Sequence, residues 1–247
     1  MIVKEIFAQS ILSKSQIYDY ALNAYVGCQH NCVYCYAKFM KRFTGHREPW
    51  GEFVDIKINA PELLEREIKK KKKGNVWISG VCDAYQPLEK KYQLTRRCLE
   101  ILVTDGWPFT VLTKSPLVLS DIELLKKATD SEVGFTITTA EEKMRRIFEP
   151  NAPPIARRVE ALGILHAAGI KTFVMIAPLL PGAEELVNML KGNVDHVLID
   201  RLNYHYADWA YKKHGMQGAM EEEFFNQIGE ELCVGFDKAG IACQKLF

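Results

Sequence analysis

Two periods of apolar residues divide the chain. Short runs rich in β-branched and aromatic residues at 76–80 (VWISG), 109–113 (FTVLT), 133–138 (VGFTIT), 171–177 (KTFVMIA) and 196–202 (HVLIDRL) predict strands. A weaker run, YALNAYV, predicts another at 20–26. Segments 61–72, 89–104, 118–127, 155–168, 184–191 and 221–239 place apolar residues at helical spacing, which predicts helices with one buried face. Several close on glycine before the next strand, as in HAAGIKTF and TDGWPF, where a residue without Cβ can end a helix. Strands alternating with helices predict βαβ units and a parallel sheet.

Six such units, rather than eight, predict an α/β fold of the partial (β/α)6 barrel type. The loop after its first strand carries cysteines, and a helical extension ends the chain. The expected organisation is one domain over 1–247, with its core at 20–202 and the extension at 203–247. No internal repeat and no linker rich in Pro, Gly or Ser interrupts it. The strand-like runs finish in polar residues: SGVCD, LTKS, TITT, APLLPG and DRLNYH. In a (β/α) barrel these C-terminal ends build the active site.

Composition narrows the reading. With 247 residues and 48% hydrophobic content, the chain can bury a large core. A formal net charge of +1 gives no overall attraction for nucleic acid. Lys69 to Lys73 form the one strong charge run, and they close a predicted helix where cations suit the dipole. No leader-like or membrane-length apolar run occurs, so a cytoplasmic protein is expected. The seven cysteines are too few for a disulfide scaffold. Cys98, Cys233 and Cys243 lie in apolar stretches and are expected as small buried hydrophobes, which suits a reducing compartment.

The remaining cysteines carry the chemistry. Cys28, Cys32 and Cys35 share the run GCQHNCVYCYAKF, a spacing at which thiolates hold a metal or an iron–sulfur cluster. No fourth cysteine is near enough in sequence to complete a local set, which leaves a coordination position open. A zinc ribbon needs a second close pair, and none is present. A zinc site using His30 would crowd the imidazole between two of its fellow ligands. A small bacterial ferredoxin would supply four cysteines in a much shorter chain.

With an aromatic residue, Tyr34, before the last cysteine, this loop resembles the signature of the radical S-adenosylmethionine superfamily. The stretches NAYVGCQHNCVYCYAKFMKRF, VDIKINAPELLEREI, SGVCDAYQPLEKKYQLTR, VLTKS, GFTITT, FEPNAPPIARRVEALGILHAAGIK and APLLPG, in that order, resemble its spore photoproduct lyase-like branch, often labelled DNA repair photolyase. The resemblance implies a partial (β/α)6 barrel and a 4Fe–4S cluster on Cys28, Cys32 and Cys35. It further implies S-adenosylmethionine at the unique iron, and reductive cleavage to a 5′-deoxyadenosyl radical that abstracts hydrogen from a substrate. A flavodoxin- or ferredoxin-type electron donor follows from the need to reduce the cluster. The substrate stays open among nucleic acid, peptide and small molecule. The chain departs from the lyases in having only 27 residues before its first cluster cysteine. It also has Gly80 where they have a hydrogen-donating cysteine, with Cys82 the one cysteine nearby.

The resemblance implies further roles, each with a plainer alternative. Tyr34 would lie against the adenine, or pack the loop. Ser79 and Asp83 would meet the methionyl amino group, or form an ordinary turn. Lys114 would pair with the carboxylate, or lie at the surface. Thr136 and Thr138, on one side of a strand, would reach the ribose or carboxylate. Arg158 would contact the cofactor or pair with Glu149. Cys82 and Tyr85 are the candidate hydrogen donors, and Asn203 and His205 could line the substrate site. The rival readings are repair of a DNA photolesion and a non-catalytic iron–sulfur protein that carries electrons or senses redox state. Asp83, Lys114 and the threonines would have no task in such a carrier.

Overall fold

In chain order the computed structural model, which describes residues 1–247, runs β1 (Ile2–Ile6), β2 (Leu12–Lys14), β3 (Tyr20–Leu22), β4 (Tyr25–Val26), β5 (Phe53–Lys57), α1 (Ala60–Ile68), β6 (Val76–Ile78), α2 (Glu89–Tyr92), α3 (Leu94–Thr104), β7 (Phe109–Thr113) and α4 (Ile122–Leu125). It continues with β8 (Glu132–Thr136), α5 (Glu142–Phe148), α6 (Ile155–Ala167), β9 (Lys171–Ile176), α7 (Leu186–Leu190), β10 (His196–Ile199), α8 (Asp208–Lys213), α9 (Glu222–Lys238) and β11 (Ala242–Lys245). A 3₁₀ helix, Tyr36–Phe43, follows the cysteine loop. The chain divides into two compact units. One comprises Met1–His30 and Ala37–Val133, the other Asn31–Tyr36 and Gly134–Phe247.

In the first unit β3, β6 and β7 pair in parallel, with β2 antiparallel on the outer side of β3. A second, small sheet has the order β1-β5-β4. The run at 20–26 therefore makes two strands, one in each sheet. Leu22, Phe53, Ile56, Val76, Ile78, Phe109 and Val111 are buried in its core. Helix α3 covers it with Leu94, Cys98, Leu99 and Leu102, which recur at helical spacing and are all buried.

The second unit takes up the chain within β8, and its strands follow the order β8-β9-β10-β11. β9 pairs with β10, and β10 with β11, all in parallel. Gly134 in β8 has a packing reason, since a Cβ there would lie 2.4 Å from the Phe173 ring. α6 buries Ile155, Ala161, Leu162 and Leu165, and α9 buries Phe225, Ile228, Leu232 and Phe236.

Several expectations change in detail. The helix expected at 89–104 breaks at Gln93, whose φ is 49°. The one expected at 118–127 opens as a 3₁₀ turn, Pro116–Asp121, capped by the Ser115 hydroxyl. The C-terminal extension is not wholly helical, because β11 extends the sheet. Cys233 and Cys243, expected as buried free thiols, form a disulfide between α9 and β11 with Cα atoms 5.2 Å apart. Both are only half-buried, whereas Cys98 is buried as expected. No helix is long and apolar enough to cross a membrane.

Candidate active site

Each half of the cysteine loop is fixed by its own unit. In the first unit, Gly27 precedes Cys28 with φ +94°, and a Cβ there would fall 2.3 Å from the Phe53 carbonyl oxygen. Only glycine fits such a close approach in this backbone region. The DAYQP segment then grips the loop. The Gln29 amide donates to Gln86 Oε1 at 3.0 Å, Gln86 Nε2 donates to the Gly27 carbonyl at 3.3 Å, and the Leu88 amide donates to Gln29 Oε1 at 2.7 Å. Cys28 is thus flanked by two residues whose backbones are tied to one buried amide side chain.

Asp83 is a hub in the same segment. Its Oδ1 accepts from the Tyr85 amide at 2.9 Å and from the Thr113 hydroxyl at 2.6 Å. Its Oδ2 accepts from the Lys114 amide at 2.8 Å and lies 3.1 Å from His30 Nε2. Burial alone would raise its pKa. The charge and contact of His30, with bonds from Thr113 and the Lys114 amide, hold it well below the usual carboxylate range instead. Asp83 therefore joins the strand end of β7 to the imidazole between Cys28 and Cys32.

Ser79 ends β6 in the left-handed region, with φ 63°, an uncommon conformation for a residue with a side chain. Its amide donates to the Leu22 carbonyl at 2.7 Å, and its hydroxyl is near the Cys82 sulfur. Burial pushes the Cys82 thiol up to about 12, against the opposing effects of Ser79 and of the Lys57 ammonium. The thiol is therefore protonated at neutral pH. Tyr85 is buried and donates its hydroxyl to Asp121 Oδ2 at 2.9 Å, while Asp121 pairs with Arg96 at 2.6 Å. Lys114 is half-buried at the end of β7.

In the second unit Glu149 is the corresponding hub. Its carboxylate accepts from the Tyr34 hydroxyl, from Thr138 Oγ1 at 3.1 Å, and pairs with Arg158 Nη1 at 2.6 Å. Arg158 and Glu149 are both wholly buried, and Arg158 also donates to the Pro153 and Thr136 carbonyls. Burial works against the arginine's charge, but the Glu149 carboxylate carries its pKa above the usual value. The Val33 amide donates to the Phe148 carbonyl at 2.8 Å, and the Cys35 amide closes a turn onto the Cys32 carbonyl. Tyr34 packs with Cys32, Phe148, Leu180 and Tyr211 in one apolar cluster.

The sequence-derived candidates fall into two groups. Ser79, Cys82, Asp83, Tyr85 and Lys114 gather with Cys28 in the first unit. Tyr34, Thr138 and Arg158 gather with Cys32 and Cys35 in the second, and Thr136 joins them through its backbone carbonyl. Arg158 does pair with Glu149. Asn203 and His205 are exposed and turn to nearby carboxylates, Asp200 at 2.8 Å and Asp208 at 3.0 Å. Sequence reasoning passed over Gln86 and Thr113 as site-building residues, and named Glu149 only as a partner for Arg158. The signal available for Gln86 and Glu149 was their place in the DAYQP and FEPNAPP runs.

None of Cys28, Cys32 and Cys35 is tied up in a disulfide; the first two are buried and the third is half-buried. No set of three or more His, Cys, Asp or Glu side chains converges as a single metal ion requires. A multi-iron cluster sets a different requirement, because each thiolate takes its own iron. Three soft sulfur donors with no carboxylate among them fit such a cluster in their chemistry.

Residues 22–191 match the family model described as the radical SAM superfamily, and the chain belongs to that superfamily. The chain is 40% identical over 162 residues to the uncharacterized protein MJ0683 of Methanocaldococcus jannaschii. That match covers 66% of this chain and 61% of the relative, so the chain spans about three fifths of that protein's length. Among solved structures, spore photoproduct lyase complexed with dinucleoside spore photoproduct superimposes with a TM-score of 0.73 at 13% identity, over 98% of this chain and 82% of the lyase. Streptococcus suis SuiB bound to its precursor peptide SuiA gives 0.61 at 16% identity, over 91% of this chain and 48% of SuiB. The fold is the partial-barrel fold of these radical SAM enzymes.

Proposed function

We propose that this protein holds a 4Fe–4S cluster on Cys28, Cys32 and Cys35 and uses S-adenosylmethionine to start radical chemistry on a substrate. The observation that carries the reading is three cysteines at that spacing, none of them in a disulfide, inside the superfamily match. When bound, the cluster and S-adenosylmethionine supply reductive cleavage of the sulfonium and a 5′-deoxyadenosyl radical that takes a hydrogen atom. The chain's own residues hold and shield that chemistry. Gln86 braces the backbone around Cys28, Asp83 lies against the His30 imidazole, and Glu149 braces Tyr34 between Cys32 and Cys35. Lys114 is the cation assigned to the methionyl carboxylate. Asp83 serves the amino-acid end chiefly by fixing the Lys114 backbone and His30, since its own oxygens already accept from within the protein. Ser79 and the strand end after Thr136 complete the cofactor's surroundings.

Cys82 is the hydrogen donor this arrangement favours over Tyr85. A neutral S–H bond can release a hydrogen atom, and burial keeps the Cys82 thiol neutral. The Tyr85 hydroxyl is instead committed to Asp121. The substrate classes carried forward are nucleic acid, peptide and small molecule. The test is EPR of the anaerobically reduced protein with and without S-adenosylmethionine. A change in the cluster signal on adding it supports the reading, and an unchanged signal with no calorimetric binding assigns the protein to the electron carriers.

A further inference from the structure

We propose that the basic face following the cysteine loop, built from residues 37–47, is the docking surface for an acidic one-electron carrier protein of the flavodoxin type. The inference rests on the radical reading above, which requires an external reductant. The whole chain is nearly neutral, with 32 basic and 31 acidic residues. Residues 37–47 nonetheless hold Lys38, Lys41, Arg42 and Arg47 and no Asp or Glu. Cations are concentrated here beyond what the composition predicts.

The fold turns that composition into a surface. In a 3₁₀ helix residues three apart eclipse one another, so Tyr36–Phe43 stacks Phe39 under Arg42 and Met40 under Phe43. The Arg42 guanidinium lies 5.6 Å from the Phe39 ring centre and 4.7 Å from that of Phe43. Arg42 and Arg47 are exposed, and Phe43 is 67% exposed. The segment is held in shape from within. Lys41 Nζ donates to the Arg47 carbonyl at 2.9 Å, and Thr44 Oγ1 donates to the Lys41 carbonyl at 2.8 Å. The nearest acidic residues in sequence lie at its margin. Glu48 is turned to His46 at 3.1 Å, and Glu52 is exposed beyond it. An exposed guanidinium against an exposed phenyl ring, with a second exposed arginine in the same segment, is the complement of an acidic protein face with an apolar centre.

Position selects the occupant. Electron transfer slows steeply with distance, so a carrier must dock beside the cluster it reduces. This face is joined covalently to Cys35 through Tyr36. Redox encounters bury little area and depend on charge steering, which the exposed Arg42 and Arg47 can supply. Nucleic acid is the less favoured partner, because a near-neutral molecule with so short a basic stretch offers a long polyanion few phosphate contacts. In the docked complex one electron leaves the reduced carrier and the same electron reduces the cluster. No atom is exchanged.

The experiment compares the wild-type chain with Arg42→Glu/Arg47→Glu and, as a milder change, Arg42→Gln/Arg47→Gln. Binding of an acidic flavodoxin is read from its flavin fluorescence, and deoxyadenosine formation is measured with either reduced flavodoxin or dithionite. The expected result is salt-sensitive flavodoxin binding, weakened about tenfold or more by the charge reversal and less by the neutral variant. The flavodoxin-supported rate should fall in parallel while the dithionite-supported rate is unchanged. Equal binding and equal flavodoxin-supported rates in all three proteins would overturn the proposal. So would loss of single-stranded oligonucleotide binding in the charge-reversed variant with flavodoxin binding intact. Failure of the radical reading itself gives a different pattern, with no deoxyadenosine from the wild type even with dithionite.

Discussion

Glu149 and Arg158 form a wholly buried ion pair in the second unit. Both are removed from water, and the carboxylate also accepts from Tyr34 and Thr138. Breaking a buried pair leaves one uncompensated charge, at a cost of about 3–5 kcal/mol. Glu149→Gln should therefore lower unfolding free energy by that order, measured by urea titration. A loss below 1 kcal/mol would show that Arg158 finds another partner. Lys114 and Asp83 separate in the same way. Lys114→Met removes the ammonium but leaves the backbone amide that Asp83 holds, so it should weaken S-adenosylmethionine binding about tenfold, the equivalent of ~1.5 kcal/mol, and cost less stability than a change at Asp83. Asp83→Asn replaces an acceptor oxygen with a donor facing the donors of Thr113, Lys114 and Tyr85. It should cost stability as well as affinity, and calorimetry alongside thermal melting distinguishes the two patterns. At this scale the cysteine spacing was legible in the sequence. The pairing of Arg158 with Glu149 was among the sequence readings, but the partners of Asp83 and the bonds of Glu149 to Tyr34 and Thr138 were not, because a polar residue's role depends on what the fold brings against it.

Among the elements, the junction of α2 and α3 carries a titratable device. Glu89 is buried at the start of α2. It accepts the Tyr25 hydroxyl and, at 3.1 Å, the Arg96 amide in the first turn of α3. Burial raises its pKa from 4.5 to about 7 despite those bonds. Between these values the folded chain holds a proton that the unfolded chain has released, so stability falls as pH rises through that window. The shift corresponds to about 3 kcal/mol. Glu89→Gln should flatten the decline between pH 4.5 and 7, read from urea midpoints across that range. An unchanged slope would assign the decline to other groups. The interior strands β6, β7, β9 and β10 were legible because they bury continuous apolar runs. β1 and β11 were not, since they lie at sheet edges and are largely exposed, and an exposed strand leaves no period in the sequence. The break at Gln93 was hidden as well, because glutamine is an ordinary helix former.

For the whole molecule, the alternation of strands and helices together with one cysteine loop pointed to the fold class. The division into two units was not legible, because no linker composition marks it. It follows from the fold that the cysteine loop is anchored twice, through Gln86 and Asp83 in one unit and through Glu149 in the other. The proposed function rests on whether Cys28, Cys32 and Cys35 hold a cluster able to cleave S-adenosylmethionine. The most direct test is anaerobic reconstitution of the wild-type and Cys32→Ala proteins, followed by iron analysis and assay of deoxyadenosine formed with dithionite. The account predicts about four irons per wild-type chain and deoxyadenosine release, with both lost in Cys32→Ala. A full iron count in Cys32→Ala, or a wild-type chain that holds four irons and releases no deoxyadenosine, would contradict it.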